Sequence, residues 1–136
     1  IGCAGLEVTS IPATKAQHGG AQQDKKASTR IRAPLMSNVA VSRQFRRKGI
    51  AELLVKEAER VVMDWGHDKC YLYVDKENIP AVRLYQKLGY REVWEDRDGK
   101  IQVPTANGNL QSKPTTIVCM KKALGHGILG RLSFPF

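Results

Sequence analysis

Apolar residues along this chain change period several times, and each change marks an element. Leu35 to Val41 (LMSNVAV) is a short apolar run that predicts a buried strand. A basic turn, Arg43 to Lys48, then opens into a helical pattern. Ile50, Leu53, Leu54, Ala58, Val61, Val62 and Trp65 recur at i, i+3, i+4 and i+7, while Glu52, Lys56, Glu57, Glu59 and Arg60 are assigned the opposite face. Gly66 stops that helix as a C′ residue. Lys69 to Val74 (KCYLYV) predicts a strand whose alternation sets Tyr71, Tyr73 and Asp75 on one face, away from Cys70, Leu72 and Val74. A short helix follows, with Asn78 as N-cap, Pro80 in the first turn, Ala81, Leu84 and Leu88 as core, and Gly89 at its close. Tyr85 is open to reading as one more packing aromatic, and Tyr90 begins the next strand.

The ends are less regular. Ile1 to Thr9 predicts a strand, Ser10 to Arg32 a polar loop or flexible insertion, and Thr115 to Lys121 (TTIVCMK) a last strand. Asp96 to Pro114, with its Gly, Asn and Pro residues, reads as a long connection. Gly125 to Phe136 has no clear period.

Composition changes this picture little. The chain has 136 residues, 42% hydrophobic and 26% charged, which is ordinary for one globular domain. No apolar run approaches the ~20 residues of a membrane-spanning helix. Cys3, Cys70 and Cys119 are an odd set without metal-type spacing, and Cys70 and Cys119 sit in apolar runs; buried thiols and a reducing compartment are expected, with no metal. The net charge of +9 raises nucleic acid as a partner, but no aromatic stacking platform is interleaved with the basic residues.

Strand, basic Gly turn and helix form a phosphate-binding layout, because a helix N-terminus carries unpaired amides and a partial positive charge. A basic turn can equally be a solvated surface. Within it, Arg46-Arg47-Lys48-Gly49-Ile50-Ala51 fits Q/R-x-x-G-x-G/A, and Asn78 to Tyr90 fits N-x-x-A-x-x-L-Y-x-K-x-G-[FY] in register. On these two motifs the chain resembles the GNAT superfamily of acyl-CoA-dependent N-acyltransferases. Within it, K-L-G-Y-R-E-V-W-E-D and T-T-I-V-C-M-K-K-A-L are similar to plant and algal plastid acetyltransferases, alongside a broader likeness to bacterial ribosomal-protein N-terminal alanine acetyltransferases.

The resemblance implies an α/β (α+β) GNAT fold, a central, mixed and mostly antiparallel sheet flanked by helices. It covers the third strand through the seventh. The first strand, two early helices and second strand have no counterpart, so a fragment of a longer protein is expected. Residues 1–124 would be the N-acetyltransferase domain, N-terminally incomplete, with a flexible insertion at about 10–30 and a tail at 125–136. The coenzyme, acetyl-CoA as co-substrate, would be held by Val39, Ala40, Val41, Arg46, Arg47, Lys48, Gly49, Ile50, Ala51, Glu52, Asn78 and Tyr85. Glu52 would have to point away from the phosphates. Tyr85 would protonate the leaving thiolate, Asn78 would bind pantetheine or a water, and Tyr73 stands where related enzymes carry a Glu or His base. Asp75 is either a base acting through water or a solvated strand-end carboxylate. The Asp96–Pro114 connection would lie over the acceptor groove. The implied acceptor is a protein or peptide amine, an N-terminal α-amine or a lysine, and the implied address is the chloroplast. Two other readings are a non-catalytic acyl-CoA-binding module and an acetyltransferase for a small-molecule amine.

Overall fold

The computed structural model describes residues 2–14 and 29–125. Five strands and two α-helices follow in the order β1 (Gly2–Pro12), β2 (Arg30–Val41), α1 (Ile50–Asp64), β3 (Lys69–Asp75), α2 (Ile79–Lys87), β4 (Arg91–Pro104) and β5 (Leu110–Ala123), with a 3-10 turn at Arg43–Phe45 before α1. The sheet order is β1-β2-β3-β5-β4, antiparallel throughout except between β2 and β3. This is the mixed, mostly antiparallel sheet that the motifs imply. No helix among the described residues is long and apolar enough to cross a membrane.

Both helices pack on one face of the sheet. Val55, Ala58 and Val62 of α1 and Tyr85 of α2 meet Met36, Cys70, Leu72, Val74, Val118 and Met120 in one buried cluster. Each fully buried Val or Leu there stabilises the fold by roughly 1.5–3 kcal/mol. The opposite face, of the other strand parity, gathers Ile11, Ala33, Leu35, Tyr71 and Cys119. Trp94 of β4 donates its indole N–H to the Pro12 carbonyl of β1 at 3.1 Å. Since β1 and β4 are the outermost strands, this contact requires the sheet to curl toward that face.

Four expectations change. Ser10–Pro12 and Arg30–Arg32 are not loop: they extend β1 and β2, paired as Ser10↔Arg32, Ile11↔Ile31 and Pro12↔Arg30. The rest of the expected insertion and the tail beyond Gly125 lie outside the described residues. Asp96–Pro114 is not a connection but most of a long hairpin, with Gly99↔Thr115 to Pro104↔Leu110 in register. Its turn is closed by Thr105 N–H to Asn109 O at 2.8 Å and Gly108 N–H to Thr105 O at 3.0 Å, with Gly108 at φ 78. Lys100-Ile101-Gln102-Val103 alternates as a strand should, although neither side of the ribbon is fully buried.

The other two corrections concern helix α1 and the start of β4. Glu59 belongs to the buried stripe of α1, not its solvent face, with 6% exposure. Its carboxylate accepts from Lys122 Nζ at 2.8 and 3.0 Å and from the Tyr90 hydroxyl at 3.2 Å, so the buried charge is paired. Conversely, Leu53 and Trp65, assigned to the apolar face, are exposed. Tyr90 precedes β4 rather than opening it; its ring is buried, edge-on to Tyr85 at 5.9 Å.

Candidate active site

Strands β2 and β3 pair only at Leu35↔Tyr71 and Met36↔Leu72. Beyond Met36, β2 stays bonded to β1 through Ala40↔Cys3 and Val41↔Gly2, so among the described residues the edge that faced β3 has no strand partner. β3 meanwhile ends at Asp75 and hands the chain to α2. The gap is a cleft of about 740 Å³. Val39, Ala40 and Val41 line it from β2, Arg46, Arg47 and Gly49 from the turn, Ile50, Ala51 and Glu52 from α1, and Asn78 and Tyr85 from α2.

The turn is shaped by two left-handed residues, Arg47 at φ 64 and Gly49 at φ 74. For Gly49 the cause is backbone conformation rather than crowding, since a Cβ there would meet nothing within 4 Å. Gly49 is also the N-cap of α1 and supplies no side-chain cap, leaving the first amides of the helix to another acceptor. Arg46 donates its Nε–H to the Val41 carbonyl at 3.1 Å, tying the turn to the end of β2. Lys48 is the one coenzyme candidate not on the cleft wall: its ammonium sits 5.6 Å from the Phe45 ring centre.

Glu52 faces the cleft but is charge-compensated. Lys56 lies 3.0 Å away and Lys87, from the last turn of α2, 3.5 Å away. The Lys56 hydrogen bond, with the charges of Lys56 and Lys87, holds its carboxyl below the ordinary range.

Asn78 caps α2, its Oδ1 accepting from Ala81 N–H at 3.4 Å. Tyr85 is 8% exposed, and burial pushes its phenol up from the ordinary value of 10. Tyr73 stands apart from these two. It lies on the other face of the sheet, 39% exposed, its ring 5.5 Å from that of Trp94. Asp75 accepts from the Thr115 hydroxyl at 2.5 Å and from Glu77 N–H at 3.0 Å, the engagement of a strand-end carboxylate.

The cleft also contains residues that pattern reading missed or gave to the core: Phe45, Pro80, Ala81, Leu84 and Lys87. Phe45, an aromatic inside a basic turn, was the available signal. Lys87 was hidden because its place on the cleft depends on how α2 crosses the end of α1.

Residues 30–90 match the model of the acetyltransferase (GNAT) family. A chloroplastic GCN5-related N-acetyltransferase 4 from Arabidopsis thaliana is 43% identical over 58 residues, 43% of this chain and 20% of that protein. An N-alpha-acetyltransferase from Sulfurisphaera tokodaii is 33% identical over 70 residues, 51% of this chain and 42% of its own length. The chain thus spans less than half of either relative. Among solved structures, Naa20 of Chaetomium thermophilum, in complex with a bisubstrate analogue, superposes with a TM-score of 0.66, covering 95% of this chain and 62% of that one at 18% identity. At that identity the likeness is one of fold.

Proposed function

For a chain whose residues 30–90 match the GNAT acetyltransferase family, we propose transfer of an acetyl group from acetyl-CoA to a primary amine, with a protein N-terminal α-amine preferred over lysine. The observation that carries this reading is the parting of β2 from β3 beyond Leu72, with the Gly49 turn and Tyr85 opening onto the one cleft.

In this account the edge of β2 that β3 leaves, Val39 to Val41, bonds the pantetheine amides as a strand would, with the Val41 carbonyl already accepting from Arg46. A backbone N–H near Val39 polarises the thioester oxygen, a fixed donor aimed at developing negative charge. The amides of Arg47 to Ala51, uncapped by any side chain, receive the diphosphate, with Arg46 and Arg47 adding positive charge. Asn78, its oxygen committed to capping α2, has an amide N–H₂ left to donate to pantetheine. The neutral amine nitrogen attacks the thioester carbonyl, the C–S bond breaks, and the amine proton leaves to water. Tyr85 gives its proton to the departing sulfur. Burial raises its phenol, which keeps it protonated through the neutral and mildly alkaline range but leaves it a weaker acid than a thiol. The transfer is therefore uphill, must accompany C–S cleavage, and is completed when water returns a proton to the phenolate.

Tyr73 is on the face away from Tyr85, beside Trp94 and off the cleft wall, and is given no part in the transfer step. No carboxylate base is assigned, since Asp75 is held by Thr115 and Glu77. That favours an α-amine, whose pKa of ~8 leaves it partly neutral without help, over a lysine at ~10.4. The name of the archaeal relative, an N-alpha-acetyltransferase, supports the same preference. The plastid address rests on the name of the Arabidopsis relative. A fluorescent fusion of the full gene product that stays in the cytosol would remove it.

The test offers acetyl-CoA and two peptides, one with a free N-terminus and no lysine, the other N-blocked with one lysine, and follows the added acetyl mass. Acetylation chiefly of the first is expected. Efficient acetylation of lysine alone would overturn the preference, and coenzyme binding without transfer to either peptide would leave a binding module.

A further inference from the structure

Glu52, an acidic residue in the first turn of α1, is an unusual lining residue for a cleft in which this reading puts a diphosphate. It does not stand there alone. Lys56, on the same helix, lies 3.0 Å from one carboxylate oxygen, and Lys87, arriving from α2 on the other side of the cleft, lies 3.5 Å from the other. The two bridges differ in kind. Lys56 is an i,i+4 partner that stays beside Glu52 whatever fills the cleft, whereas Lys87 reaches it only by crossing from the last turn of α2. The Lys87 side chain is 71% exposed, so it is free to rotate, and it lines the cleft.

Resting on the acyl-CoA reading of this site, we infer that Glu52 and Lys87 form a charge-exchange pair: with the cleft empty Lys87 binds Glu52, and an entering phosphate takes Lys87 over. Glu52 is then an internal competitor for the phosphate site. It keeps the α2 end drawn toward α1 until a stronger anion arrives, and afterwards its charge is held by Lys56. The ligand class is a nucleotide-type phosphate ester at the phosphate-bearing end of the coenzyme, since Lys87 lies at the far end of α2 from Asn78. The pair consequently tunes affinity for the phosphorylated part of the coenzyme and leaves the thioester chemistry untouched.

The test measures binding of CoA and of phosphate-free pantetheine by calorimetry to the wild type, Glu52→Gln, Lys87→Gln and the double variant. Glu52→Gln is expected to tighten CoA ~5-fold by removing the competing charge, and Lys87→Gln to weaken it ~3-fold. In the Glu52→Gln background, where Lys87 has no partner to leave, the Lys87→Gln loss is expected to grow to ~10-fold, so the two effects are not independent. Pantetheine affinity is expected to be the same in all four proteins. Unchanged or weaker CoA binding by Glu52→Gln, effects that simply multiply, or an equal change for pantetheine would each overturn the pair. A wild type that binds no CoA would instead overturn the reading of the cleft on which the pair rests.

Discussion

Cys70 and Cys119 show what individual residues of this fold tolerate. Both thiols are buried, and desolvation pushes them up from the ordinary 9.0, Cys70 to about 11 and Cys119 to about 12. A raised thiol contributes stability that is complete below its unfolded value and is lost as pH climbs through its folded value. The urea midpoint should therefore hold to about pH 9 and fall between pH 9 and 12. In the Cys70→Ala/Cys119→Ala double variant that fall should be shallower; an equal slope would assign it to other groups. These buried thiols were legible, because both cysteines sit in apolar, strand-like runs. Glu59 was not. Residue type placed it on the solvent face, and what makes its burial tolerable is Lys122, 63 positions later, with the Tyr90 hydroxyl. Glu59→Ala strands Lys122, itself 26% exposed, and should cost about 2 kcal/mol, below the full price of breaking a deeply buried pair, as measured by chemical denaturation.

At the scale of elements, the pattern was most informative where one face is buried. Helix α1 runs Ile50–Asp64 as its period predicts, and Gly66 N–H bonds Met63 O as it leaves the helix. The β3 alternation separates Cys70, Leu72 and Val74 from Tyr71 and Tyr73 as expected. It misled at the β4–β5 ribbon, because a two-stranded arm that buries neither face has no apolar run to show. Asp96-Arg97-Asp98-Gly99, read as the start of a long connection, is an irregularity in β4, between the pairs Asp96↔Ile117 and Gly99↔Thr115. Gly99 is required there by space: a Cβ would stand 2.5 Å from Ile117 Cγ1 and 3.1 Å from the Thr115 carbonyl. Gly99→Ala should cost about 1–3 kcal/mol in a urea melt and loosen the ribbon, an overpacking penalty. At Gly108, where nothing crowds a Cβ, only the left-handed φ of 78 opposes substitution, and Gly108→Ala should cost about 1–2 kcal/mol.

Seen whole, the domain furnishes the two sides of one sheet differently. The helix-covered side holds the cleft with the Gly49 turn, Asn78 and Tyr85; the other side presents Tyr73 and Trp94. Most of the residues that line the cleft were readable in sequence because they are local: a strand, a turn and a helix start within fifteen or so residues, then one further helix. Acceptor recognition was not, because it depends on surfaces far apart in the chain, and the matched relatives extend well beyond the segments shared with this chain. The central claim is that Tyr85 serves transfer from acetyl-CoA rather than mere packing beside Tyr90. Its most direct test compares wild type and Tyr85→Phe for the rate of acetyl transfer to a free-N-terminus peptide, with CoA affinity measured on the same samples. The account predicts a rate lowered about 10²-fold or more, the contribution of a positioned proton donor, with CoA affinity changed less than about threefold. An active wild type whose Tyr85→Phe variant keeps its rate would contradict it.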